Sequence, residues 1–154
     1  MSEVGQRGFT LLEMVCVLAI IALLASVALP YLPRQTSRPR LQAYALQAVT
    51  LLKSDRAASL RNGTRIDTQI DTSRRLIRAG GSATALRLPD DVGFQATLPR
   101  SCQHRPVPST ISFFPDGLSC GGAITLSRAD LSLEIRVNWL TGRIDIVSRA
   151  HAAG

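Results

Sequence analysis

The groups in this sequence that could do chemistry are few. They are a carboxylate inside an apolar run (Glu13), three cysteines (Cys16, Cys102, Cys120), two histidines (His104, His151) and the pentapeptide Gly117-Leu118-Ser119-Cys120-Gly121. The pentapeptide has the G-x-S-x-G spacing of a serine nucleophile, whose chemistry needs a strand, a sharp turn presenting the hydroxyl and then a helix. Here a turn precedes it and the β-like Ala123-Ile124-Thr125-Leu126 follows, so Ser119 reads as a turn residue. Cys102-x-His104 has too few neighbours for a zinc site, and His151 sits in the tail. Gly80-Gly81 lacks the strand-to-helix context that cradles phosphate and reads as a turn. No catalytic residue, metal or other cofactor is therefore expected, and the chain is not expected to be an enzyme.

Glu13 stands apart. It is the sole carboxylate in the twenty-one residues from Phe9 to Leu29, whose other polar groups are Thr10, Cys16 and Ser26. As a helix this run is about 32 Å long, close to the roughly 30 Å hydrocarbon thickness of a bilayer. Arg7 and the N-terminal amine would hold the leading end in the cytoplasm, with the bulk of the chain outside. A cleaved secretory signal competes with this reading, since Met14 to Ala25 would serve as its apolar core and Ser26-Val27-Ala28 as a small-x-small site. The carboxylate argues against it, because an acid near mid-helix costs about 2.5–3.5 kcal/mol on insertion scales and less near the interface. A secretory signal has no use for it, whereas an intramembrane acid marks function and needs a partner.

The residues Gly8-Phe9-Thr10-Leu11-Leu12-Glu13 resemble the class III leader of type IV pilins and type II secretion pseudopilins. The resemblance implies cleavage between Gly8 and Phe9 by an inner-membrane prepilin peptidase, followed by N-methylation of Phe9. It also implies that Glu13 is an assembly residue. Cleavage leaves a positive amine at the membrane interface, and a carboxylate of a neighbouring subunit can neutralise it as helices pack. At about 4 Å and an effective dielectric near 20, such a pair gains roughly 4 kcal/mol before desolvation.

The expected organisation is a leader at 1–8, a transmembrane and filament-core helix at 9–29, a kinked amphipathic helical segment at 30–63 and a periplasmic β domain at 64–154. Pro30, Pro33 and Pro39 should kink or interrupt the helix. The helical pattern resumes from Leu41 to Leu60, with Leu41, Ala45, Ala48 or Val49 and Leu52 on one stripe and Gln42, Gln47, Lys53 and Arg56 off it. Asn62-Gly63 supplies a stop. Beyond it, strands are expected at Thr64–Ile70, Leu86–Leu88, Val92–Leu98, around Ile111 and Phe113, and around Ile124 and Leu126. Arg100 to Ser109 reads as a loop. The last hairpin alternates Leu133, Ile135, Val137 and Trp139 on an apolar face, then turns through Leu140-Thr141-Gly142 into Ile144-Asp145-Ile146. The expected fold class is α+β, and the resemblance implies a pilin-like fold, a long N-terminal helix packed on an antiparallel sheet domain.

At 154 residues, 45% hydrophobic, the chain suits one domain with a real core. Its net charge of +7 comes from eighteen cations, all Arg except Lys53, spread from Arg7 to Arg149. That describes a dispersed basic surface. Cys16 reads as a small apolar filler. Cys102 and Cys120 fall in the exported part, where a disulfide between them would stabilise by roughly 3 kcal/mol on the chain-entropy model; two reduced thiols packed apart are the alternative.

At the C-terminal end, Phe113-Phe114-Pro115-Asp116-Gly117, then Gly121-Gly122 with Ile124, then Val137-Asn138-Trp139-Leu140-Thr141-Gly142-Arg143 resemble the F-x-P-D-G, G-G-x-I and V-x-W-x-T-G-R course of GspH-type minor pseudopilins. The resemblance implies a low-copy subunit near the tip of a periplasmic pseudopilus that drives protein export across the outer membrane. Implied partners are other minor pseudopilins, the major pseudopilin, the prepilin peptidase and the inner-membrane assembly platform. The implied location is the inner membrane, single-pass, with the C-terminal domain in the periplasm. The alternative is a minor type IV pilin of pilus assembly or DNA uptake. Without a dense Arg cluster or a set of stacking aromatics, nucleic acid is not the expected partner.

Overall fold

The computed structural model describes residues 10–28 and 36–150, and the chain divides into two units, Met1–Gln35 and Thr36–Gly154. In the first unit, α1 (Leu11–Ala28) is a run of 18 residues without Gly or Pro. Thr10 starts it: its carbonyl accepts the Met14 N–H at 3.2 Å and its hydroxyl accepts the Glu13 N–H at 3.3 Å. At 1.5 Å per residue, α1 is about 27 Å long, a little short of a bilayer core. Among the described residues no helix is long and apolar enough to cross a membrane. The expected 9–29 span includes Phe9 and Leu29, which lie outside the described residues, as do Gly8, Pro30, Pro33 and His151.

The second unit begins with α2 (Arg38–Asn62), longer at both ends than its apolar stripe suggested. Pro39 opens the helix instead of interrupting it, because an early helical position has no intrahelical partner for its N–H to lose. Leu41, Ala45, Ala48, Leu52, Asp55 and Ser59 form its buried face. Gly63, at φ 64°, ends it.

The β domain is antiparallel, as expected, and is built as two four-stranded sheets. One has the order β3-β2-β1-β7, built from β1 (Ile66–Asp71), β2 (Leu76–Arg78), β3 (Ala85–Arg87) and β7 (Thr110–Phe113). The other has the order β10-β9-β8-β4, built from β4 (Gly93–Thr97), β8 (Gly122–Arg128), β9 (Leu131–Val137) and β10 (Ile144–Ala150). Between them in sequence, the segment expected as a loop contains a small hairpin of β5 (Ser101–Cys102) and β6 (Arg105–Pro106). Helix α2 touches β1 and β7 of the first sheet and β8, β9 and β10 of the second. Leu41, Leu52, Ile77, Ile111, Phe113, Ile124, Leu126 and Ile135 are fully buried in the resulting core.

Trp139 departs from expectation. It was placed on the apolar face of the last hairpin, but β9 stops at Val137 and Trp139 is 65% exposed. The Asn138 carboxamide oxygen accepts the N–H groups of Leu140 and Thr141 at 2.9 and 3.0 Å, which starts the turn before the alternation can reach Trp139.

Candidate assembly site

Glu13 lies in the first turn of α1, where a negative side chain complements the positive end of the helix dipole. It is exposed, and so are the apolar side chains around it, Leu12, Met14 and Val17 among them. A helix apolar on every side buries itself in lipid or among other helices. Cys16, on the same helix, is a free and exposed thiol. Glu13 is therefore set in a surface that calls for packing partners, while Gly8 and Phe9 lie outside the described residues.

Two of the three C-terminal motif segments, the turn at Phe114–Gly117 and the turn at Asn138–Gly142, meet at the last two turns of α2. Phe114 and Gly117 close one turn, the Gly117 N–H donating to the Phe114 carbonyl at 3.1 Å, and Asp116 Oδ1 accepts the Leu118 N–H at 3.0 Å. The Ser59 hydroxyl donates to the Phe114 carbonyl at 3.3 Å. The other turn, Asn138 to Gly142, receives Arg56, whose Nη2 donates to the Thr141 carbonyl at 3.1 Å. A Cβ on Gly142 would lie 2.6 Å from the Gly117 carbonyl oxygen and 2.8 Å from Arg56 Nε, at a φ of 61°. Glycine is required there, since no side chain fits between the two turns and helix α2. Pro115, Asp116 and Gly117 thus build a turn. Ser119 is buried, with its hydroxyl donating to the Ser112 carbonyl at 2.8 Å, and strand β8 follows it instead of a helix, so it lacks the setting of a nucleophile. Among the described residues no group of three or more His, Cys, Asp or Glu could hold a metal ion.

Cys102 and Cys120 are joined by a disulfide with Cα atoms 5.6 Å apart, tying the β5–β6 hairpin to the segment that leads into β8. Two acids not singled out in the sequence also organise the domain. Asp55, 1% exposed, accepts hydrogen bonds from the Thr68 hydroxyl and from the N–H groups of Gly80 and Gly81. The signal was available: stepping the apolar stripe three residues on from Leu52 lands on this carboxylate. Asp91 accepts the Thr36 N–H at 2.7 Å, the Thr36 hydroxyl at 2.8 Å and Arg128 Nη1 at 2.7 Å. These donors, the Thr36 N–H foremost, hold the Asp91 carboxyl below its usual pKa.

The prokaryotic N-terminal methylation motif family matches residues 5–29, the stretch that contains Glu13. Type II secretion system protein H of Xanthomonas campestris pv. campestris is 33% identical over 138 residues, covering 90% of this chain and 81% of that protein. The chain belongs to the type II secretion system protein H family. Among solved structures, this protein H family member is similar to the type IV minor pilin FimU of Pseudomonas aeruginosa, with a TM-score of 0.57, 14% identity and coverage of 77% of this chain and 97% of that chain. It is also similar to the minor pseudopilin EpsH from the type 2 secretion system of Vibrio cholerae, with a TM-score of 0.52, 11% identity and coverage of 77% and 100%. At such low identity these likenesses show the fold, which is the α+β architecture of pilin-like proteins.

Proposed function

We propose that this chain is a minor pseudopilin of the type II secretion system, a structural subunit near the tip of the periplasmic pseudopilus that drives protein export across the outer membrane. The observation that carries this reading is the 33% identity to a type II secretion system protein H across 90% of the chain. Prepilin peptidase cuts between Gly8 and Phe9 and methylates Phe9. Residues 9–29 anchor the subunit in the inner membrane, and the unit from Thr36 onward works in the periplasm. During assembly by the inner-membrane platform, Glu13 of one subunit faces the methylated amine of a neighbour, a major or another minor pseudopilin. The chain's role is structural and it catalyses no reaction.

A minor pilin of a type IV pilus, acting in pilus assembly or DNA uptake, is the second reading; the likeness to FimU favours it. The intact mass of the chain purified from membranes tests the processing step common to both readings. The expected product starts at N-methylated Phe9. A product starting at Leu29 would mean an ordinary secretory signal and would overturn both. Loss of protein export, without loss of pili, on deletion of the gene decides for secretion.

A further inference from the structure

A surface cleft of about 700 Å³ runs along the last turns of α2 beside the β9–β10 turn and the start of β10. Three of its lining side chains are cationic, Lys53, Arg56 and Arg143, against one carboxylate, Asp145. That carboxylate is already engaged, since Arg143 Nε lies 3.0 Å from Asp145 Oδ1. Arg56 donates to the Thr141 carbonyl, and among the described residues neither Arg56 nor Lys53 pairs with a carboxylate. The cleft therefore carries excess positive charge in a concave wall, where an incoming anion is partly desolvated and more strongly held.

Its edge is apolar. Leu60, in the cleft wall, is 45% exposed, and the β9–β10 turn above it presents Trp139 at 65% and Leu140 at 56%. Among the described residues of the second unit, the other exposed large hydrophobics, Leu46 on α2 and Ile146 on β10, line a separate and smaller cleft of about 300 Å³. The turn that supplies Thr141 and Gly142 to the cleft wall thus also carries an exposed Trp, a residue type enriched among interface anchors.

We propose that this cleft is a docking surface for a neighbouring protein subunit that inserts an Asp or Glu side chain between Lys53, Arg56 and Arg143 and lays an apolar side chain on Trp139 and Leu140. The proposal rests on the subunit reading above and adds to it the face used and the chemistry of the partner. A protein fits better than nucleic acid. Duplex DNA would need cations tracking successive phosphates over a longer surface, whereas this site gathers three in one cleft.

The test uses the full chain in cells that also express the other pilin-like subunits of the same system, each separately tagged, with a benzoyl-phenylalanine photo-cross-linker in place of Leu140. The expected result is an adduct with one of those subunits, at a peptide containing Asp or Glu. Lys53→Glu combined with Arg143→Glu should lower its yield roughly tenfold, Lys53→Gln with Arg143→Gln should lower it less, and Lys at the partner's acidic position should restore it in the Glu variant. Both cations are exposed, so the variants keep the fold, which an unchanged melting temperature checks. An adduct indifferent to these charges, an adduct to lipid or to a second copy of the chain, or a duplex-DNA gel shift abolished by the same variants would overturn the proposal. A chain recruited to the filament without a charge-dependent adduct overturns the docking surface and leaves the subunit reading standing. Failure of recruitment itself overturns both.

Discussion

The carboxylate of Asp55 lies 2.6 Å from the hydroxyl of Thr68, joining the buried face of α2 to the middle of β1. The same carboxylate accepts the Gly80 N–H at 2.9 Å and the Gly81 N–H at 3.0 Å, so one side chain binds helix, strand and the loop after β2. A Cβ at Gly80 would sit 2.3 Å from the Asp67 carbonyl oxygen, which explains why glycine stands where the loop passes the strand. Removing the acceptor leaves the fully buried Thr68 hydroxyl unsatisfied and releases the exposed Gly80–Gly81 loop from the helix. Asp55→Ala should destabilise the second unit by about 2–4 kcal/mol, and Thr68→Val by about 1 kcal/mol. Urea unfolding of the two variants checks both figures. Near-wild-type stability for Asp55→Ala would show that water or a neighbour replaces the carboxylate.

The bond between Cys102 and Cys120 anchors a hairpin that has few other ties. In the purified chain the non-reduced protein should be lighter than the reduced one by the two thiol hydrogens. Cys102→Ser with Cys120→Ser should lose about 2–5 kcal/mol. Two free thiols in the membrane-extracted protein would contradict the pairing.

Asp91 makes stability depend on pH. Its folded pKa lies below the unfolded value because Thr36 and Arg128 favour the charged form, so in acid the unfolded chain binds the proton first. The contribution is complete above the unfolded carboxyl pKa, roughly 3.9, and fades as the pH falls through the lower folded value. The melting temperature of the wild type should therefore drop on acidification more steeply than that of Asp91→Asn. Parallel pH profiles for the two would remove Asp91 from this role.

Much of this was legible along the chain because it is written in short periods. The stripe from Leu41 to Leu52 gave the buried face of α2, and the alternation of Leu133, Ile135 and Val137 gave β9. What depends on distant partners was not legible. Asp55 looks like any helical acid until Thr68, Gly80 and Gly81 surround it. The split into two sheets follows from β7 pairing with β1 while β4 pairs with β8, a choice no local pattern contains. Trp139 continued an apolar alternation that the Asn138 side chain had already ended. At the N-terminal end the reverse holds: Glu13 is conspicuous in sequence because an acid has no place in an apolar run, and on α1 it is exposed.

Export by cells carrying Glu13→Ala measures the assembly role most directly. The variant chain should be cut and methylated at Phe9 like the wild type, remain in the inner membrane, fail to enter the pseudopilus and leave secreted proteins in the periplasm. Normal pseudopilus entry and normal export by Glu13→Ala would contradict a role for this carboxylate in subunit assembly.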